Sequence, residues 1–142
     1  MTALQEGQQL EPQVYRVRRA DLIRYAGASG DFNPIHWSDR VAVSVGLPGV
    51  LAHGMYTMAL AARAVGAWSG PGARLAEMAV RFAKPVLVPD DDEGVDVQVA
   101  GTVAPSDDSG RCRLDLTVTS GGVKVLGMAR AFVVAAPGNA DA

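Results

Sequence analysis

The feature that most restricts this chain is a stretch at residues 54–68 whose only Lys, Arg, Asp or Glu side chain is Arg63. Met55, Met58, Ala59, Ala62 and Val65 recur at helical spacing, and Leu60, Ala64 and Ala67 make the opposite side apolar too. A helix that is apolar nearly all round is expected to be buried nearly all round. Gly70-Pro71-Gly72 ends it. Beyond that point the period changes from helical to two. Ala76, Met78, Val80 and Phe82 alternate with Glu77, Ala79 and Arg81; Val95, Val97 and Val99 alternate with Asp96, Gln98 and Ala100; Leu114, Leu116 and Val118 alternate with Arg113, Asp115 and Thr117. Such alternation predicts half-buried antiparallel strands.

A final strand is expected over about 124–134. Hairpin turns are expected at Ser106-Asp107-Asp108-Ser109-Gly110 and at Ser120-Gly121-Gly122. Upstream of the apolar stretch, residues 14–17 read as a short strand. Residues 21–26 read as a helix, with Leu22, Ile23, Tyr25 and Ala26 on one face and Gly27 and Gly30 ending it. Ser38-Asp39 opens another helix carrying Val41, Ala42 and Val45, with Gly46 as its stop. An antiparallel sheet needs an apolar partner for its inner face, and the helix at 54–68 is that partner. The expectation is one α+β domain over residues 1–142, a curved antiparallel sheet wrapped around one long buried helix, which is the hot-dog architecture. The ends, about 1–10 and 137–142, are expected to be flexible.

Several classes are set aside. The formal net charge is -2 and no Arg/Lys cluster stands out, so nucleic acid is not an expected partner. One cysteine, Cys112, excludes an internal disulfide and a Cys-based zinc site. Residues 41–62 carry no charged side chain, but Gly46, Pro48, Gly49, His53 and Gly54 divide them into two elements, so no membrane span is expected. Residues 1–13 lack the apolar segment of a leader, and a cytoplasmic protein is expected. The acidic run Asp90-Asp91-Asp92-Glu93 reads as a solvated turn rather than a calcium loop.

The two histidines, His36 and His53, carry the chemistry. The first lies in Ser29-Gly30-Asp31-Phe32-Asn33-Pro34-Ile35-His36, where the Asn33-Pro34 turn can bring the Asp31 carboxylate and the His36 imidazole toward one point. A carboxylate and an imidazole converging on one water form a general acid/base pair. Spacing alone equally allows a turn-forming Asp and a surface His. The second lies in Ala52-His53-Gly54-Met55 at the start of the apolar helix. A helix N-terminus offers unpaired N–H groups, and glycine admits close approach of a ligand carbonyl. Close packing of helix on sheet is the plainer account of Gly54, and a core or capping histidine that of His53. No His-x-x-x-His spacing is present, which speaks against zinc.

The run from Tyr25 through His36 resembles the hydratase motif of the MaoC-like, (R)-specific enoyl hydratase family. Gly46-Leu47 with Ala52-His53-Gly54-Met55 resembles its next block, and Arg81-Phe82-Ala83-Lys84-Pro85-Val86 its strand after the hot-dog helix. The resemblance covers about residues 15–134. It departs where the family often has Pro-Gly-Asp, since Pro89 is followed here by the acidic run. Asn33-Pro34-Ile35-His36-Trp37-Ser38-Asp39 and Thr119-Ser120-Gly121-Gly122 are most similar to the catalytic beta subunit of actinobacterial heterodimeric (3R)-hydroxyacyl-ACP dehydratases.

The resemblance implies reversible hydration of trans-2-enoyl thioesters to (3R)-hydroxyacyl thioesters in fatty-acid metabolism, with Asp31 and His36 catalytic. It implies Gly54 N–H at the substrate carbonyl, and Asn33, Ser29, Gly30 and His53 in support. No metal or redox cofactor is implied. The substrate arrives on CoA or acyl carrier protein, and the partner is a copy of the chain or a second hot-dog subunit. Two other functions share the fold. A hot-dog acyl-thioesterase usually carries an acidic residue on or beside the central helix, and residues 54–68 have none. A non-catalytic acyl-binding subunit would not be expected to retain both Asp31 and His36.

Overall fold

The computed structural model describes residues 4–105 and 109–135. The elements run β1 (Gln9–Val17), α1 (Arg19–Ser29), a 3-10 turn (Pro34–His36), α2 (Asp39–Ser44), α3 (Gly54–Ser69), β2 (Ala73–Phe82), β3 (Val95–Val103), β4 (Cys112–Ser120) and β5 (Val123–Ala135). The strands form one five-stranded sheet in the order β1-β3-β4-β5-β2, every pairing antiparallel. The hairpin turn expected at Ser106-Asp107-Asp108 lies outside the described residues, as do Met1–Ala3 and the tail beyond Ala135.

The sheet curves round α3, giving the expected α+β hot-dog architecture. Leu60, Ala61, Ala64 and Val65 of α3 are buried against Val97, Val99, Leu114, Val118, Leu126 and Ala131 of the sheet. Burial of this kind stabilises by roughly 25 cal/mol per Å2 of apolar surface removed from water. The helix is not buried all round, however. Its covered face is Thr57, Leu60, Ala61, Ala64 and Val65, while Met55, Ala59, Gly66 and Ala67 are exposed. One sheet covers one face, and no other element of the described chain closes over the opposite side.

Two element boundaries and one burial pattern also differ from expectation. β1 starts at Gln9 rather than at residue 14, and Leu10 is buried. It tolerates Pro12 because it is an edge strand with a register shift between Leu10 and Gln13. α1 runs through Gly27 to Ser29 and stops where Gly30 takes the left-handed φ of 75°. β2 has register shifts against β5 between Leu75 and Glu77 and between Ala79 and Arg81, which break the expected alternation: Met78 and Val80 pack against the core, while Ala76 and Phe82 are exposed.

Candidate active site

The loop after α1 is held by its own short polar side chains. Asp31 N–H donates to Ser29 Oγ (3.2 Å), Asn33 N–H to Asp31 Oδ1 (3.1 Å), and Ile35 N–H to Asn33 Oδ1 (3.2 Å). These are local side-chain-to-backbone bonds that Ser, Asp and Asn favour over regular structure. Pro34 starts the 3-10 turn, which ends on His36. The outcome is a chain reversal with Asp31 Oδ2 at 3.9 Å from His36 Nε2. That gap is too long for a direct hydrogen bond and short enough for one water to reach both groups.

His36 is buried, whereas the Asp31 side chain is about half exposed. His36 Nδ1 lies 2.7 Å from the Leu51 carbonyl oxygen. A carbonyl only accepts, so Nδ1 carries the hydrogen, and in the neutral ring Nε2 is the lone pair on the Asp31 side. His53, 2% exposed, donates from Nε2 to the Asp31 carbonyl oxygen at 3.1 Å. Its Nδ1 is buried with no partner among the described residues. The His36 and His53 rings stack with centroids 3.8 Å apart, and Tyr25 packs on His53 at 4.7 Å.

Ligand-type atoms of Asp31, His36 and His53 lie within 4.8 Å of one another. As a metal cage the cluster is poor. Stacked rings, 23° apart in plane, run their in-plane lone pairs side by side, whereas tetrahedral zinc needs them to converge. Two of the four ring nitrogens are also turned to backbone carbonyls.

Two cavities meet here. One, of about 450 Å3, is bordered by Tyr25, Ser29, Asp31, His53 and Met55. The other, of about 250 Å3, is bordered mainly by apolar groups, among them Leu51, Val86, Val125 and Leu126. Gly54 and Phe82 border both. Gly54 opens α3, where the first N–H groups have no partner within the helix. A Cβ at Gly54 would lie 3.0 Å from the Phe82 ring, so close packing, the plainer account of this glycine, is present at the junction itself.

The structure therefore brings Asp31, His36, His53, Ser29 and Gly54 together. Asn33 acts through its backbone and cap bonds, and Gly30 ends α1. Sequence reasoning did not single out Tyr25, Phe82 or the Leu51 carbonyl. The first two stand within the motif blocks quoted above. The third is a peptide group, which no residue type marks. The acidic run holds an Asx turn, Asp91 Oδ1 accepting from Glu93 and Gly94 N–H.

Comparison with known proteins places the chain in a family. A family model described as a MaoC like domain matches residues 2–120. The 3-hydroxyacyl-thioester dehydratase X of Mycobacterium tuberculosis is 43% identical over 76 residues, 54% of this chain and 26% of that protein. The 3-hydroxybutyryl-CoA dehydratase of Methylorubrum extorquens is 33% identical over 111 residues, 78% of this chain and 68% of the relative. The solved R-hydratase PhaJ1 from Pseudomonas aeruginosa superposes with a TM-score of 0.80 at 28% identity, over 93% of this chain and 82% of that one. The chain thus spans about a quarter of the length of the mycobacterial relative (26%) but most of the other two. With a family match over most of its length, on the expected fold, the chain belongs to the MaoC-like dehydratase family.

Proposed function

We propose that the chain is a hydro-lyase that adds water reversibly to trans-2-enoyl thioesters, giving (3R)-3-hydroxyacyl thioesters. The observation that carries this is the 3.9 Å gap between Asp31 Oδ2 and His36 Nε2, sized for one shared water, beside two cavities that meet at Gly54 and Phe82. The relatives named for 3-hydroxyacyl-thioester, 3-hydroxybutyryl-CoA and R-hydratase chemistry support it.

In the resting site both groups on the water are acceptors, the Asp31 carboxylate and the unprotonated His36 Nε2. The water lends each a hydrogen and directs its lone pair at the β-carbon. As the C–O bond forms, one O–H bond breaks and the C=C electrons move toward the thioester oxygen. The proton passes to the pair, with Asp31 stabilising the charge that forms on the imidazole, and His36 delivers it to the α-carbon. The Gly54 N–H stabilises the enolate-like oxygen. A donor of this kind is worth roughly 3 kcal/mol of barrier. The acyl chain occupies the apolar cavity, and the CoA or acyl-carrier thioester enters past Met55 and Phe82. His53 and Asn33 hold Asp31 by its carbonyl and carboxylate respectively.

A second hot-dog subunit, either a copy or a different chain, completes the particle. The uncovered side of α3 at Met55, Ala59, Gly66 and Ala67, together with the exposed β2 edge with Leu75 and Phe82, offers it an unpartnered surface. No helix among the described residues is long and apolar enough to cross a membrane.

The test is incubation with a short trans-2-enoyl-CoA, following loss of the conjugated-thioester absorbance, product chirality and free thiol. Hydration predicts a (3R)-hydroxy product and no thiol. Thiol release would indicate a thioesterase instead, and acyl binding without turnover, alone and with a partner subunit, a binding subunit.

A further inference from the structure

Asp39 sits three positions after His36 and borders neither of the two cavities at the site. Its carboxylate is not needed to cap α2, because Ser38 Oγ already accepts from Val41 N–H at 3.3 Å. It faces instead the segment before α3. Asp39 Oδ1 accepts from Val50 N–H at 3.2 Å. The Arg19 guanidinium donates to both Asp39 oxygens, at 2.9 and 3.0 Å, and through Nε to the Val88 carbonyl at 2.6 Å.

The segment thus gripped is the one that fixes His36. Val88 N–H donates to Val50 O at 3.0 Å and Ala52 N–H to Val86 O at 2.8 Å, with an antiparallel bridge between Leu51 and Leu87. On its other edge Leu51 N–H donates to Ile35 O at 3.3 Å, while Leu51 O takes the His36 Nδ1 hydrogen at 2.7 Å. The N–H of Val50 and the C=O of the next residue, Leu51, are therefore held by two side chains three residues apart. Val50 is 1% exposed with Asp39 in place, and a mobile water admitted by loss of the carboxylate would satisfy the N–H without the fixed, Arg19-braced geometry that Asp39 gives it.

We propose that Asp39, braced by Arg19, is a positioning residue: by holding Val50 it aims the Leu51 carbonyl that keeps His36 in its Nδ1–H tautomer, with Nε2 free for the reaction. This rests on the hydratase reading for its kinetic consequence, but not for its effect on His36. An exposed ion pair that only ties α1 to α2 would contribute little and leave the imidazole unchanged.

The experiment compares wild type, Asp39→Ala, Asp39→Asn and Arg19→Gln, by enoyl-CoA hydration kinetics and by 15N NMR of the imidazoles; with only two histidines, a His53→Gln reference assigns the signals. Asp39→Ala is expected to lower kcat between about 10- and 100-fold with little change in KM, and to shift the His36 nitrogens from the Nδ1–H signature toward a tautomer mixture. Asp39→Asn, which keeps an oxygen acceptor for Val50, is expected to recover most of both. Arg19→Gln should move both in the same direction by less, and serves if Asp39→Ala does not fold. An unchanged His36 tautomer signature in folded variants, or a rise in KM at constant kcat, overturns the proposal. If the wild type hydrates nothing but the tautomer shifts as expected, the positioning stands and the hydratase reading falls.

Discussion

The imidazole rings of His36 and His53 are stacked 3.8 Å apart, and the same His53 holds the Asp31 carbonyl through Nε2. One buried ring therefore supports both members of the proposed acid/base pair. It gives His36 a flat wall and ties the Asp31 backbone to the start of α3.

Replacing that ring should be costly. His53→Ala leaves a hole between Tyr25 and His36 and removes the donor to Asp31, and is expected to destabilise by about 2–4 kcal/mol. Denaturant midpoints measure this directly. A midpoint equal to wild type would mean the ring contributes no packing.

Gly54 should separate stability from activity. In Gly54→Ala the gain in helix propensity, up to ~1 kcal/mol, opposes the 3.0 Å contact with the Phe82 ring, which is 54% exposed and able to shift. Stability is expected to stay within ~1 kcal/mol of wild type, while kcat/KM falls about ten-fold as the displaced ring crowds the junction of the cavities. In a Phe82→Ala background the same substitution should cost much less, a coupling that a double-mutant cycle reads. Equal losses in both backgrounds would remove Phe82 from the account.

Stability should fall at both ends of the pH range for identifiable reasons. The hydrogen bond from Arg19, then that from Val50 N–H, holds the Asp39 carboxyl below the usual carboxylate range. A lowered native value means this contribution is present above the unfolded-state value and lost as pH falls through the native one. Burial, then the nearby Asp21 charge, raises the Tyr56 phenol, and burial raises Tyr15. Here the contribution is complete below the unfolded-state tyrosine value and lost as pH rises through the native one. Denaturant midpoints should therefore be highest between the usual carboxylate and tyrosine ranges, roughly pH 4 to 10. Asp39→Asn should flatten the acid limb and Tyr56→Phe the alkaline one. Limbs unchanged by these substitutions would contradict the assignment.

Much of this was legible in the sequence because its signals are local. The change from helical to two-residue period after residue 70 marked α3 and the strands, and the Asn33-Pro34 turn marked where Asp31 and His36 converge. What was not legible depends on partners distant in sequence. β1 extends back to Gln9 through a stretch without alternation because β3 supplies its pairing. α1 begins at Arg19 without a Ser, Thr, Asn or Asp cap because Asp21 reaches back to the Arg18 N–H at 2.8 Å. The exposed side of α3 is apolar at Met55, Ala59 and Ala67 and differs in charge from the buried one only by Arg63, so the apolar pattern alone read as burial all round. The tautomer of His36 rests on the Leu51 carbonyl, fifteen residues away, and a peptide oxygen has no sequence signature.

The most direct test of the central claim is the hydration rate of wild type, Asp31→Asn and His36→Ala on one enoyl-CoA, with folding checked by circular dichroism and the same partner subunit present or absent throughout. The account predicts turnover by wild type and a loss of about 100-fold or more in each variant, both remaining folded. Near-wild-type turnover by either variant would contradict it.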